Sequence, residues 1–293
     1  MAVVGGGSPL TARRKFGAEL RILRDRLGLT LDEVGAEINC HNSKISRIEL
    51  GKRTCTRKDL EALMDLYEVS EEKREELADL FARSKQRTPP WWQAYADVVV
   101  ANYAEFLSYE AEASLCREYQ QVFIPAMLQA PDYARAVTVG GTVALGPDQV
   151  DTLVEVRLRR QERLREDVPM RHEAVITEAA LHMRMGGAQV MRAQLRHLRD
   201  VATAYDNISL RVLPFAAEVT ATAMGAFSLF ASGQGIDPDA AWMESASGLH
   251  FRDDPFIVRR MNRIFGNLSD AALSEHDSLE LIERVEKELV QDE

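Results

Sequence analysis

The residues with the clearest chemical potential lie in the stretch CHNSKISRIELGK, at positions 40–52. An asparagine amide can form two hydrogen bonds with adenine, and a guanidinium can form two with guanine. Serine and lysine can contact either a base or a phosphate. If these side chains lie together on the exposed face of a helix that fits into DNA, they can contact the bases. The alternative is that they are ordinary solvated surface residues. The predicted base-reading residues are Asn42, Ser43, Lys44 and Arg47.

Three basic residues follow directly, and the charge of the surrounding segment supports a nucleic-acid partner. Lys52, Arg53 and Arg57 are predicted to lie over the DNA backbone, where they would add affinity without sequence information. The chain has a net charge of −10, but residues 13–58 hold 12 Lys/Arg against 6 Asp/Glu. Residues 91–293 hold 19 against 31. The alternative to a DNA-binding segment is local fluctuation of charge.

A search for catalytic and metal-binding patterns finds none with the required spacing. Glu110 and Glu112 are two residues apart, so on a helix they would point to different faces. Cys40, His41 and Cys55 do not have zinc-ligand spacing. ESASG lacks the first glycine of a nucleophile elbow, and GGGSP lacks the Gly-Lys-Ser/Thr of a phosphate-binding loop. The histidines are widely separated, at His172, His182, His197, His250 and His276. We therefore predict no enzymatic activity, no cofactor and no metal.

The base-reading stretch must be held by neighbouring helices, and residues 11–87 predict five of them. Apolar residues recur at helical spacing, and TLDE, with Thr30 and Glu33, is a capping box that starts the second helix. Further helices are expected at about 42–50, after Thr56 and after Ser70.

The second and third helices have the features of a helix-turn-helix. Gly35 provides a small residue where the third helix must cross the second. Asn39 stands at the joint, and asparagine is one of the few residues that accept left-handed backbone angles. The shared core is predicted to contain Val34, Ile38, Ile45 and Ile48.

Residues 12–66 resemble the XRE-like helix-turn-helix class, of the lambda-repressor and Cro type, through LRILRDRLGLTLDEVGAEINCHNSKISRIELGKR. The resemblance implies a structural ion pair between Arg24 and Glu49 that holds the third helix against the first. The sequence departs from the class at Leu31, where a polar residue is usual. It also departs at the cap of the third helix, where His41 or Asn42 replaces the usual Ser or Thr.

The rest of the chain predicts a second domain. We expect a disordered N-terminus at 1–10, the helix-turn-helix domain at 11–87, a linker at 88–104 containing TPPWW, and a C-terminal domain at 105–293. Helices are predicted at 105–121, 148–167 and 190–205, with two more closing the chain. Strands are predicted at 172–178, 208–215, 225–232 and 240–245. The fold class is thus an all-α N-terminal domain followed by a larger mixed α/β (α+β) domain.

The C-terminal part resembles an uncharacterised domain joined to such helix-turn-helix units in filamentous actinobacteria. LSYEAEASLCREYQQVFIPAMLQAPDYARAV, ITEAALHMRMGG, LRVLPF and GAFSLF carry the likeness. It implies a transcription regulator of development or secondary metabolism, whose C-terminal domain binds an effector or a small partner protein encoded nearby. We expect a homodimer, because two half-sites multiply the modest affinity of a single site. The alternative is an antitoxin-like module that sequesters a small partner and regulates its own operon.

The sequence also predicts where the protein works. No apolar run approaches the length of a membrane span, and MAVVGGGSPL does not look like a secretory signal. Three cysteines form a sparse, odd set, which is typical of free thiols in a reducing compartment. We expect a cytoplasmic protein, associated with the nucleoid when it is bound to DNA.

Overall fold

The computed structural model describes residues 9–51, 53–85, 89–141, 146–218, 225–232, 238–245 and 248–291. They divide into two compact units, with the break between Trp91 and Trp92, inside the predicted linker. In the described part of the chain, no helix is long and apolar enough to cross a membrane.

The N-terminal unit is all-α, as predicted. Its helices are α1 (Pro9–Arg26), α2 (Leu31–Glu37), α3 (Asn42–Glu49), α4 (Arg57–Leu66) and α5 (Glu71–Ser84). The predicted capping box at Thr30 is present, and Thr56 with Asp59 forms a second one at the start of α4. Residues 9 and 10 belong to α1, so the prediction of disorder was wrong for them, while residues 1–8 lie outside the described part.

One apolar core joins these five helices. Phe16 and Leu20 of α1 pack with Val34 of α2 and with both isoleucines of α3. Leu60 and Leu63 of α4 and Leu77 of α5 complete it. Because α3 contributes Ile45 and Ile48 to this core, its opposite side faces outward.

The second unit combines helices with a mixed sheet, which confirms the predicted fold class. Its helices are α6 (Ala101–Glu110), α7 (Pro131–Val139), α8 (Pro147–Arg160), α9 (Ala179–His182), α10 (Ala188–Ala204), α11 (Pro255–Ala271) and α12 (Glu275–Gln291). Its strands are β1 (Ala113–Gln120), β2 (Arg171–Thr177), β3 (Ile208–Leu213), β4 (Phe227–Ser232), β5 (Ala240–Ser245) and β6 (Gly248–Arg252). Short 3-10 turns lie at Trp91–Tyr95, Ala126–Leu128 and Gln161–Leu164.

The strands form one sheet in the order β3-β2-β1-β4-β5-β6. The β1–β2 and β2–β3 pairs are parallel, and the other three pairs are antiparallel. The parallel pairs follow from the connections, since α7 and α8 lie between β1 and β2, and α9 and α10 lie between β2 and β3.

Helices cover both faces of the sheet. On one face, Tyr119 and Val175 pack with Met261 and Phe265 of α11. On the other face, the ring of Phe106 in α6 lies 5.3 Å from Phe230 and 5.5 Å from Trp242, measured between centroids. Cys116 and Glu118 alternate with Arg117 and Tyr119 along β1, so they belong to this second face.

The largest error of secondary-structure prediction concerns residues 105–121. The sequence predicted one helix, but α6 ends at Glu110 and β1 begins at Ala113. Strand β1 buries Cys116 and Glu118, so it lacks the apolar/polar alternation by which a strand is normally recognised. Strand β6 was not predicted either.

Candidate nucleic-acid interface

A tight joint sets the angle between α2 and α3. Asn39 has a φ of 55°, the left-handed region expected for this residue. A Cβ atom added to Gly35 would lie 2.7 Å from the carbonyl oxygen of Cys40 and 3.2 Å from the amide nitrogen of Asn42. Because both of these are backbone atoms of the joint, only glycine lets the start of α3 approach α2 this closely.

We expect Gly35→Ala to destabilise the N-terminal unit by about 1–3 kcal/mol, the usual cost of overpacking. Gly266→Ala is the matched control, because Gly266 also lies within a helix but has no atom within 4 Å of an added Cβ. The control should be neutral or slightly stabilising. Urea unfolding followed by far-ultraviolet circular dichroism measures both, and equal effects would contradict the role given to Gly35.

A second close approach was missed by sequence analysis. An added Cβ on Gly17 of α1 would lie 2.5 Å from the carbonyl oxygen of Glu49, and it would also meet that of Ile48. Gly17 therefore lets α1 contact the C-terminal end of α3. A glycine inside a helix normally weakens it, so the presence of Gly17 in the middle of the predicted first helix was the available signal for a close packing contact.

Arg24 and Glu49 form a two-bonded ion pair between α1 and α3. The Nε and Nη2 atoms of Arg24 donate to the Glu49 carboxylate at 2.7 and 2.9 Å. Arg24 Nη1 donates to the carbonyl of Leu29 at 2.8 Å, and the bond to Glu49 raises the pKa of Arg24. This pair holds α3 against α1, and neither of its two charged groups is left to contact DNA.

His41 is the N-cap of α3, where the class usually has Ser or Thr. The backbone N–H of Ser43 donates to His41 Nδ1 at 3.2 Å, and Ser43 Oγ lies 2.9 Å from the same nitrogen. An imidazole nitrogen with a lone pair thus performs the capping role of a hydroxyl oxygen.

Two of the predicted base-reading residues have acidic partners. Asn42 Nδ2 donates to Asp32 of α2 at 2.5 Å, and Lys44 Nζ donates to Asp59 of α4 at 2.8 Å. Burial by itself raises the pKa of Asp59, but the hydrogen bonds from Lys44 and Thr56 lower it on balance. Sequence analysis did not identify Asp32 or Asp59, because neither contact follows from local spacing.

Arg47 is the most available of the four. It is exposed, and its guanidinium has no hydrogen bond or ion pair to any residue in the described part of the chain. Ser43 is half-buried beside the cap. The outward face of α3 therefore presents an exposed cation next to polar groups held in place by α2 and by the cap.

The predicted phosphate contacts lie around the end of α3. Arg53 is exposed, and its backbone N–H donates to the carbonyl of Arg47 at 3.0 Å. Arg57 is exposed and donates to Glu61 at 3.1 Å. Lys52 lies outside the described residues.

Comparison with known families agrees with this geometry. Residues 15–77 match a family described as "Helix-turn-helix domain", which confirms the class predicted from sequence. The match supports a DNA-binding regulator rather than an enzyme.

Residues 103–284 match the family described as "Domain of unknown function (DUF5753)". This match covers more than half of the chain, and the protein belongs to that family. No curated protein matches the chain.

Proposed function

We propose that the protein is a sequence-specific transcription regulator that places α3 in the major groove of operator DNA. One observation carries the proposal: Arg47 is exposed, has no side-chain partner among the described residues, and lies on a helix whose other side is fixed by buried contacts. A helix held in this way keeps its outward side chains in a fixed arrangement toward the base edges in the groove, which direct readout requires.

The contacts of α3 divide its residues by role. Arg47 is the candidate for guanine recognition. Asn42 keeps one amide N–H and its carbonyl oxygen after bonding Asp32, which suffices for adenine. Lys44 would have to leave Asp59 before it contacted DNA, so we assign it mainly to joining α3 and α4.

Arg47→Ala should reduce the difference in binding free energy between operator and random DNA by about 1–3 kcal/mol, because it removes a base contact made through two hydrogen bonds. The operator is first selected from genomic fragments with the full-length protein. Fluorescence anisotropy then gives affinities for that operator and for a scrambled duplex. An unchanged ratio of affinities in Arg47→Ala would remove the base contact from the proposal.

Lys52→Ala and Arg53→Ala should each weaken binding to the operator and to the scrambled duplex about equally. Each should lower the slope of log affinity against log salt by roughly 0.9, because one phosphate contact is lost. Arg284→Ala is the control, since Arg284 is exposed in the second unit and its loss changes the net charge equally. If the control shows the same drop in slope, the effect reflects net charge alone. If the unmodified protein prefers no genomic fragment, the proposed function fails.

We further propose a cytoplasmic homodimer that binds two half-sites, as helix-turn-helix regulators commonly do. All three cysteines are free thiols, which supports a reducing compartment. Light scattering of the purified protein, with and without operator, tests the dimer. A mass of one chain for the free protein, together with one chain per duplex in the operator complex, would contradict it.

We assign effector binding to the C-terminal unit, in line with a regulator of development or secondary metabolism. A cleft of about 440 Å³ beside β3 supports this role, and small-molecule sites fall in this size range. Polar and charged side chains dominate its lining, including Arg171, Glu173, Asn207, Ser209, Arg211 and Glu275. The effector expected from this lining is a small polar molecule carrying charge.

A further inference from the structure

Three residues with metal-binding side chains meet on the buried face of β1 and β2. Cys116 and Glu118 are two residues apart on β1, so they point to the same face of the sheet. The parallel register places His172 of β2 beside Cys116. One ligand atom from each of the three lies within 4.8 Å of the other two. Spacing in the sequence did not reveal this cluster, because 54 residues separate Glu118 from His172.

The imidazole of His172 is buried and lies against Glu118. Its side chain is 0% exposed, and its Nε2 lies 3.2 Å from Glu118 Oε2. Nε2 is therefore the ring nitrogen that faces the cluster, and an ion between the two side chains would take the place of this hydrogen bond. Nδ1 has no hydrogen-bond partner among the described residues, so no neighbouring group fixes which ring nitrogen carries the proton. With the proton on Nδ1, the lone pair of Nε2 can bind a cation.

A catalytic role for the same three groups does not fit their burial. Cys116 is 2% exposed and Glu118 is 6% exposed, so an organic substrate cannot reach the thiol. Burial also raises the pKa of Cys116 well above its usual value, which opposes a free thiolate nucleophile. A metal ion is small enough to be enclosed as the domain folds, and it stabilises the thiolate directly.

We propose that Cys116, Glu118 and His172 form a binding site for a Zn²⁺-class transition-metal ion. Sulfur, nitrogen and carboxylate oxygen together are the donor set of zinc and its neighbours, whereas Mg²⁺ and Ca²⁺ take oxygen ligands. On binding, the Cys116 S–H bond breaks, a sulfur–metal bond forms, and the proton leaves to solvent. The ion ties β1 to β2 at the centre of the sheet, and its binding free energy adds to the stability of the fold.

The surroundings resemble those of known metal sites. Gln120 Nε2 donates to the second carboxylate oxygen of Glu118 at 2.9 Å, which orients the carboxylate. Such outer bonds hold ligands in place and tune their basicity.

The test is refolding of the full-length protein, unfolded in urea and stripped with a chelator, first with Co²⁺ and then with Co²⁺ and Zn²⁺ together. We expect one equivalent of Co²⁺ to bind with a thiolate-to-cobalt charge-transfer band, and Zn²⁺ to displace it. Cys116→Ser should abolish the band, and His172→Gln should weaken binding by about 100-fold or more, beyond the loss seen for outer-shell residues. Cys55→Ala and Cys40→Ala are the controls, because these thiols lie in the other unit, and both should keep the band.

The proposal is overturned if no metal binds stoichiometrically, or if Cys116→Ser keeps the band. Loss of the band in Cys40→Ala or Cys55→Ala, with retention in Cys116→Ser, would place the ion in the other unit. If Cys116→Ser or His172→Gln fails to fold, X-ray absorption of zinc bound to the unmodified protein identifies the ligand atoms. A zinc–sulfur distance of about 2.3 Å supports the site, and a spectrum with only nitrogen and oxygen neighbours overturns it.

Discussion

Replacing Arg24 with alanine is expected to destabilise the N-terminal unit by about 3–5 kcal/mol, because it leaves the Glu49 carboxylate buried and unpaired. The Glu49 side chain is 5% exposed and that of Arg24 is 12% exposed, so solvent screens this pair little. The arginine also bonds the carbonyl of Leu29. Arg24→Ala therefore removes contacts that hold both α3 and the end of α1 in place.

The measurement is urea unfolding followed by far-ultraviolet circular dichroism and by tryptophan fluorescence. Trp91 and Trp92 are both replaced with phenylalanine, so that Trp242 is the one tryptophan left. The first signal reports the helices of both units, and the second reports the C-terminal unit. The part of the first signal that comes from the N-terminal unit should shift to lower urea concentration, and the second signal should not shift. Operator affinity should fall as well, because α3 is no longer held against α1.

Arg21→Ala provides the control for this experiment. Arg21 lies on the same helix and pairs with Asp25, but both side chains are more than half exposed. Exposed pairs contribute little, so we expect a change of about 0.5 kcal/mol or less. Replacing both Arg24 and Glu49 with methionine should recover most of the loss, since the buried charge is then removed. Equal effects of Arg24→Ala and Arg21→Ala would refute the structural role of the pair.

Arg160→Ala should destabilise the C-terminal unit by a similar amount, about 3–5 kcal/mol. Nε and Nη2 of Arg160 donate to the Glu110 carboxylate at 2.7 and 2.6 Å, and the two side chains are 7% and 4% exposed. Burial by itself lowers the pKa of Arg160, but Glu110 raises it well above the usual value. The guanidinium carbon also lies 5.0 Å from the ring centre of Phe106, so packing is lost together with charge.

Arg159→Ala is the matched control, because Arg159 is the neighbouring residue of α8 and is exposed. With Trp91 and Trp92 replaced by phenylalanine, Trp242 fluorescence during urea unfolding should show a large shift of the midpoint for Arg160→Ala and a small one for Arg159→Ala. The pair joins α6 to α8, so the Arg160 variant should unfold at lower urea concentration. A shift no larger than that of Arg159→Ala would contradict this assignment.

The prediction from sequence was most accurate where structure depends on neighbours along the chain. The capping box at Thr30 forms as predicted, and the helix-turn-helix class is confirmed. Arg24 and Glu49 are paired in the structure, although the sequence suggested this pair only through resemblance. The individual DNA contacts of Asn42, Ser43, Lys44, Lys52, Arg53, Arg57 and Arg47 remain predictions.

The sequence by itself determined the helices of the N-terminal unit and its joint, because caps, helical periodicity and left-handed turns depend on residues a few positions apart. The tertiary structure decided which polar side chains of α3 are available, since Asp32 and Asp59 reach Asn42 and Lys44 from other helices. It also decided that residues 113–120 form strand β1, because the buried polar residues of this segment remove the alternation that marks a strand in the sequence. Pairing of β1 with β2 then placed Cys116 and Glu118 next to His172. Contacts of this kind depend on how distant elements pack and pair, and spacing along the chain carries no record of them.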